Sequence, residues 1–577
     1  MLKLPESVVP VENAAQAYLE LLKAKGVKYF FVNPGTDSVP INDAFSRFAA
    51  EGKESPKLVL VPHEAPATAM AYGYAMVTGE PQVVMVHVNV GTANALCMVM
   101  NAQRARVPII MTAGRTPVTE EGLPGTREGG NHWGQESYDQ GSILREYVKW
   151  DYELRSTVQL PSIVDRAFKI AKAEPQGPVY LILPREWLVE PMISIQIPNT
   201  SRSTPPSPPA PNMDALKEAA KILVDSENPL ILTSRLGAKP EAVQKLVDLA
   251  ETLAIPVIEV WRSRMNFPTT HPLHLGYDTD SLLRTADTIL LIDCDVPWVP
   301  KRVKPPESAE IIQIDIDPTQ LNYPLWGYPV TIPITADAST ALPALTSLIK
   351  EAIMDEPLTA SKVEERRART EREHQRQMQA WKNQAETVKS LKPIDFTWLS
   401  HEINTMLDKD TIIVNEFDLV TSQIELTQPG SYFSGSTTSG LGFALGAALG
   451  AKLASTNKTV IACVGDGSYI FGSPVAAHWV SRAYGIPVFF IVFNNQCYRA
   501  VKGTIWRLLP EGWSVKTGRF IGTDLDPSPD YVSVAKSSGA YGETVEDPAE
   551  IRPALNRALE VVKEGRQALL DVICAKP

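Results

Sequence analysis

TVIACVGDGSYIFGSPVAAHWVSRAYGIPVFFIVFNNQCY, residues 459–498, holds two short apolar runs, a helix-length segment between them, and a polar tip after each run. The pattern predicts a buried strand, a sharp Gly-Asp-Gly turn, a helix and a second buried strand ending in Asn-Asn. In a parallel α/β sheet both tips fall at the carboxyl ends of neighbouring strands, where such sheets bind ligands. Asp466 is a hard anionic oxygen donor and Asn495 a neutral one. Together they suit a small divalent cation that keeps positions open for phosphate oxygens. Gly465 and Gly467 let the backbone approach a diphosphate closely.

The rest of the chain repeats this α/β rhythm. KYFFVNPG (28–35), KLVLVPHE (57–64), VVMVHVN (83–89), VPIIMTAG (107–114) and PVYLILP (178–184) are short continuous apolar runs. Runs of that kind, flanked by helical stretches, predict parallel strands covered on both faces. A second block holds PLILTS (229–234), IPVIEV (255–260), TILLIDCD (288–295) and IIQIDID (311–317). We therefore expect three consecutive doubly wound α/β domains with parallel sheets. The expected boundaries are an N-terminal domain over 1–196, a proline-rich linker over 197–212, a middle domain over 213–355, a charged helical connector over 356–392 and a C-terminal domain over 393–577. Six of the sixteen linker residues are proline, which predicts a semi-rigid extended strap. The charged stretch near 361–391 has a weak apolar period and reads as a solvated helix.

Composition sets outer bounds. With 577 residues, core size is no limitation. A net charge of −11 without a basic cluster argues against a nucleic-acid-binding face. The five cysteines, at 97, 294, 463, 497 and 574, form no CxxC pair and suit a reducing, cytoplasmic compartment. MLKLPESVVPVENAAQAYLELL lacks the long apolar run of a signal peptide, and no membrane span is expected.

The strand–GDG–helix–strand–NN pattern, with Ser468 following, resembles the cofactor motif of thiamine-diphosphate enzymes. The resemblance covers nearly the whole chain, in the order of pyrimidine-binding, middle and diphosphate-binding domains. It implies thiamine diphosphate and Mg²⁺, the metal held by Asp466, Asn495 and the carbonyl of Cys497. Gly465, Gly467, Ser468 and Tyr498 then belong to the cofactor site. VPHEAPATAMAYGYAMVTGEP (61–81) resembles the family's strand–HE–helix element, which makes Glu64 the carboxylate on the aminopyrimidine ring. In STTSGLGFALGAALGAKL (436–453), Leu441 matches the bulky residue beneath the ring and Ser439 the carbonyl facing its amino group.

Two elements resemble benzoylformate decarboxylases. VNPGTDSVP (32–40) puts Thr36 where a substrate-binding serine is expected. VHVNVGTANA (86–95) puts His87 where a catalytic histidine sits, suited to moving protons near neutral pH. Other features depart from that group. Pro300 falls where a second histidine is expected. VNEFDLVTSQ (414–423) places Asp418 and Leu419 where hydroxyl residues would meet the diphosphate, leaving backbone amides or Thr421 for that work. A carboxylate there is repulsive unless it points away. REGGNHWGQESYDQ (127–140) is closer to acetolactate synthases and makes Gln135, and after it His132, candidates. IDIDPTQL (314–321) also resembles the synthases, but the single glycine of TSRLGAKPE (233–241) argues against FAD. Arg499–Asp530, with Trp506, Trp513 and Phe520, reads as a long lid-like loop.

The expected activity is C–C bond cleavage or formation next to a carbonyl, foremost decarboxylation of a 2-oxo acid, with or without carboligation. The alternatives are an acetolactate synthase-like carboligase using pyruvate, a lyase or hydrolase acting on a diketone or 2-hydroxyacyl substrate, and a non-catalytic cofactor-binding homologue. The resemblance implies an active site shared between subunits, hence a homodimer at minimum and commonly a homotetramer. Neither a nucleic acid nor a membrane is expected as a partner.

Overall fold

The computed structural model describes residues 7–199, 202–354 and 357–576. The first six residues, on which part of the leader expectation falls, lie outside it. So do residues 200–201 of the proline-rich strap and 355–356 at the next junction.

Three parallel sheets follow one another along the chain. The first has six strands in the spatial order Lys57–Leu60, Tyr29–Val32, Val83–Val86, Ile110–Arg115, Val179–Pro184 and Asp151–Glu153. The second has five: Val257–Glu259, Pro229–Thr233, Thr288–Ile292, Glu310–Asp315 and Ile332–Thr335. The third has six: Tyr432–Ser434, Thr411–Glu416, Thr459–Gly465, Phe489–Asn494, Ala568–Ile573 and Tyr541–Val545. Numbered by sequence within each sheet, the first and third share the order 2-1-3-4-6-5. Helices cover both faces, so central strands such as Val179–Pro184 and Phe489–Asn494 are buried at every position. That is why they read as unbroken apolar runs rather than alternating ones. A short antiparallel pair, Ser7–Pro10 with Ser194–Ile197, ties the start of the first unit to its end.

Two helices hold the first and third units together. Glu64–Thr78 packs against Phe443–Ala454, and small residues bring their backbones close. A Cβ on Gly450 would lie 2.0 Å from the Met70 carbonyl oxygen, and one on Gly73 2.0 Å from that of Ala447. Each helix follows the second strand of its own sheet.

The charged connector is a helix, Pro357–Val388, but not a fully solvated one. Arg366, Thr370, His374 and Ala385 are buried along one side. Arg366 donates to the carbonyls of Leu253 and Ser226, both at 2.7 Å, at the ends of two middle-domain helices. His374 Nδ1 donates to the His274 carbonyl at 2.8 Å. The buried stripe is largely polar, which is why the apolar period looked weak. The 499–530 stretch is likewise not a plain loop. It forms helices Arg499–Leu508 and Trp513–Thr517, with Trp506 edge-on to the buried Phe520 ring at 5.3 Å and Trp513 exposed. Among the described residues no helix is long and apolar enough to cross a membrane.

Candidate active site

Every functional candidate of the first unit lies at or beyond the carboxyl end of a strand. Glu64 opens its helix after the strand Lys57–Leu60, and His63 caps that helix by accepting the Ala65 amide on Nδ1 at 3.1 Å. Glu64 is 5% exposed. Its carboxylate accepts from Asn33 Nδ2 at 2.9 Å on one oxygen and from Asn94 Nδ2 at 3.1 Å on the other. A buried carboxylate requires such partners.

His87 follows the strand Val83–Val86, two strands along the sheet, and precedes the helix Val88–Arg104. Its Nδ1 is hydrogen-bonded to the Asp37 carboxylate, and its Nε2 lies 3.2 Å from Gln135 Nε2. The bond to Asp37 raises the His87 pKa above the usual histidine value against the opposing effect of burial; the charges of Asp37 and Glu64 add to the rise. Thr36 is different from expectation. Its side chain faces solvent and its carbonyl accepts from Arg185 Nη1 at 3.5 Å, while the next residue, Asp37, turns inward. His132 is buried, but its Nδ1 is taken by the Glu128 amide at 3.1 Å, and burial lowers its pKa.

The third unit supplies the second group. Asp466 begins the helix Asp466–Phe471 and is 2% exposed. One carboxylate oxygen accepts the Gly467 amide at 2.8 Å; the other is buried with no hydrogen-bond partner. Asn495 Oδ1 accepts from the Cys497 amide at 3.0 Å and faces the Cys497 thiol at 3.2 Å. This turn places Gln496 at φ +55° and sends the Cys497 carbonyl to the Arg499 amide at 2.9 Å. Ser439 adopts φ +57° at the end of a tight turn. The following Gly440 is clasped by Asn101, whose amide donates to the Gly440 carbonyl at 2.9 Å and accepts its N–H at 3.1 Å. Leu441, half-buried, follows directly, one residue before the turn into the helix Phe443–Ala454.

The two glycines of the Gly-Asp-Gly turn are approached by the chain's own side chains. A Cβ on Gly465 would lie 2.1 Å from an Asp418 carboxylate oxygen, and one on Gly467 2.7 Å from the Tyr498 ring. Among the described residues Asp418 has one cation paired with it, Arg499 Nε at 3.5 Å, whose guanidinium also stacks over Phe396. Burial pushes the Asp418 pKa up to about 6, with repulsion from Asp466 adding to it, and burial pushes Asp466 up to about 6. Glu416, one turn away, accepts the Gly442 and Ala444 amides at 2.7 Å each and is raised to about 7 by burial. The two amides and the nearby Ser468 hydroxyl work against that rise.

Three family models match the chain in order. They are the N-terminal TPP-binding domain of thiamine pyrophosphate enzymes over residues 12–143, the central domain over 216–345 and the C-terminal TPP-binding domain over 417–572. This chain is a thiamine-diphosphate enzyme. The enzyme is 26% identical to benzoylformate decarboxylase of Pseudomonas aeruginosa, over 97% of this chain and 99% of that one. It is 25% identical to the acetolactate synthase isozyme 3 large subunit of Escherichia coli, over 97% and 94%. A thiamine diphosphate-dependent 4-hydroxybenzoylformate decarboxylase from Rhodococcus jostii superposes with a TM-score of 0.78 at 25% identity, covering 98% of this chain and 99% of that one. The enzyme is thus of the decarboxylase and acetolactate synthase type, in the lyase and transferase range of thiamine-diphosphate chemistry.

Sequence reasoning missed four groups of this enzyme's site. Asp37 and Asn33 stand in the NPGTDS turn, and Asn94 in the GTANA helix start, but the turn was read through Thr36. Glu416 ends the apolar run TIIVNE, and a glutamate finishing a buried strand was itself a sign that a carboxylate needs partners there.

Proposed function

We propose that this enzyme decarboxylates a 2-oxo acid with thiamine diphosphate and Mg²⁺. The observation that carries this reading is the buried Glu64 carboxylate at the end of one strand with the Asp37-bonded His87 at the end of another strand of the same sheet, near enough for the Glu64 charge to favour the charged ring. When bound, the cofactor supplies the electron sink for charge left by C–C cleavage next to a carbonyl. The residues suit it. The unpartnered, buried oxygen of Asp466 is a vacant donor for a hard cation, and Asn495 and the Cys497 carbonyl complete an oxygen-only set. Glu64, oriented by two amides, would be the carboxylate that meets the aminopyrimidine ring nitrogen. Ser439 would offer its carbonyl to the amino group, Leu441 would underlie the ring, and Gly465, Gly467, Ser468 and Tyr498 would border the diphosphate. His87 moves protons to and from the substrate, with Gln135 and Thr36 at the mouth. Pro300, exposed, has no proton to give, so His87 does without a second histidine. FAD is no part of this reading.

The reading includes a site shared between two copies of the chain, hence a homodimer at minimum and a homotetramer built from it. Ile470, Phe471, Val475 and Trp479, just beyond the Gly-Asp-Gly turn, are exposed apolar side chains that a second copy would cover. It also includes domain limits at 1–196, 213–355 and 393–577, joined by the strap and the long helix, and a cytoplasmic location. A second reading is favoured by one observation, the seat of Gln135 against His87: a carboligase that adds a second carbonyl after decarboxylation.

The test is CO₂ release from pyruvate, branched 2-oxo acids, phenylpyruvate and benzoylformate, with products identified. We expect cofactor-dependent CO₂ and an aldehyde, and at least a thousandfold loss in Glu64→Gln with the fold intact. A hydroxyketone product selects the carboligase. Absence of CO₂ from all four by the loaded enzyme, or near-normal turnover in Glu64→Gln, overturns the reading.

A further inference from the structure

Asp37 has no counterpart in the expectations drawn from the sequence, yet three connections converge on it. It is 4% exposed, in the turn after Tyr29–Val32. One carboxylate oxygen meets His87 Nδ1 and the other accepts the Val88 amide at 3.3 Å. Space for this contact exists because glycine stands at two flanking positions. A Cβ on Gly35 would lie 1.9 Å from His87 Nδ1, and one on Gly114 1.9 Å from Asp37 Oδ2. The strands leading to Asp37, His87 and Gly114 are neighbours in the sheet, so the carboxylate reaches across from its own connection to the next two.

The backbone is held under strain at the same place. Val88 has φ +29°, a conformation that a β-branched residue rarely adopts. Its amide is the one Asp37 accepts, so the carboxylate helps to keep the strained turn that aims His87. Such strain persists only where surrounding contacts over-determine it.

The opposite ring nitrogen closes the argument. Asn131 Nδ2 donates to Gln135 Oε1 at 3.2 Å, which leaves the Gln135 amide nitrogen as a donor toward His87 Nε2. The chain of donors then runs Asn131 to Gln135 to His87 to Asp37. In that direction neutral His87 carries its proton on Nδ1 and a lone pair on Nε2.

We propose that Asp37 is a positioning residue that fixes His87 as the Nδ1–H tautomer, makes Nε2 the nitrogen that exchanges a proton with the bound substrate, and stabilises the imidazolium once Nε2 has taken that proton. A proton gained on Nε2 displaces the Gln135 N–H from that nitrogen and leaves Nδ1–H on Asp37 throughout; when Nε2 returns it, the Gln135 hydrogen bond and the neutral tautomer are restored and Asp37 is never protonated. This is the general logic of a carboxylate behind an imidazole. The other ionisable groups around the ring are Glu64 on its own helix, His132 on the Asn131–Gly134 turn, and Arg185, which reaches the Thr36 carbonyl and pairs with Glu128 at 2.7 Å. Glu64 favours the charged ring, and His132 and a charged His87 disfavour one another. Asp37 alone touches it.

The inference rests on His87 being the proton carrier of the proposed reaction, and its test separates the two. In wild-type holoenzyme with isotope-labelled histidine, assigned with His87→Gln, the ¹⁵N shifts of neutral His87 should report a proton on Nδ1. Asp37→Asn should lower the His87 midpoint by a unit or more. It should also move the matching limb of the turnover profile to lower pH and reduce kcat by roughly a hundredfold or more at little change in KM or cofactor affinity. Asp37→Glu should restore part of both. A wild-type ring protonated on Nε2, or an unchanged His87 midpoint in Asp37→Asn, overturns the inference even if CO₂ is released. If no 2-oxo acid yields CO₂ but the midpoint shifts, the dyad stands and the reaction assigned to it falls. Should Asp37→Asn fail to fold, the wild-type tautomer decides alone.

Discussion

Asp418 is where this chain departs most sharply in chemistry from a diphosphate-binding site. Its carboxylate rests against Gly465 and pairs with Arg499. Two phosphate groups arriving there meet a negative charge in a poorly solvated setting. Asp418→Thr, which supplies a hydroxyl, should therefore tighten thiamine diphosphate binding several-fold at low salt, read by calorimetric titration. Equal affinity would mean that Asp418 swings away on loading. The same residue sets a pH dependence. Asp418 and Asp466 bind protons up to about pH 6 in the folded chain, against a reference of 3.8. The folded state then keeps protons that the unfolded chain has lost, so this contribution is complete below about pH 4 and is lost as pH rises through 6. Cofactor-free protein should lose melting temperature over that interval, and Asp418→Thr should show a shallower loss. Glu64, Asp466 and Asn495 were legible in the sequence because each sits in a local motif. Asp37 was not, because its role arises from three strand ends meeting, and no single stretch contains them.

Helices carry the next level of specification. Glu64–Thr78 and Phe443–Ala454 each begin beside a proposed cofactor contact, Glu64 in one and Leu441 just before the other, and they touch through glycine and alanine. Gly450→Ala would drive a methyl group into the Met70 carbonyl, a backbone atom that cannot rotate aside. Overpacking of this kind costs about 1–3 kcal/mol. We expect a melting temperature lower by a few degrees and weaker cofactor retention, with Gly327→Ala, which meets nothing within 4 Å, as the unaffected control. Small residues in STTSGLGFALGAALGAKL were visible as sequence, but which helix they admit was not. The connector Pro357–Val388 shows the converse. Hydrophobic periodicity finds apolar stripes, and its buried side includes Arg366, Thr370 and His374, of which Arg366 and His374 are matched to helix-end and loop carbonyls.

Three sheets in succession could be read from alternating apolar runs, yet the shared order 2-1-3-4-6-5 of the first and third could not. Strand order depends on where crossovers land, and the paired strands have little sequence in common. This duplicated plan puts Glu64 on one unit and Asp466 on the other, which allows a subunit test. Mixing Glu64→Gln with Asp466→Ala protein, each inactive alone, should recover turnover if a site draws one unit from each of two copies. A mixed dimer then holds one intact site. No recovery after subunit exchange would place both residues of a site on one chain.

Two sheets wired alike also carry a hazard during synthesis, since strands of one are plausible guests in the other. The first is complete at Pro184 and the third does not begin until Thr411. At roughly 5–20 residues per second, the ribosome needs on the order of 10–45 s to cross that interval. The middle unit and proline strap thus act as a timer, giving the earlier sheet its own strands before its competitors leave the exit tunnel.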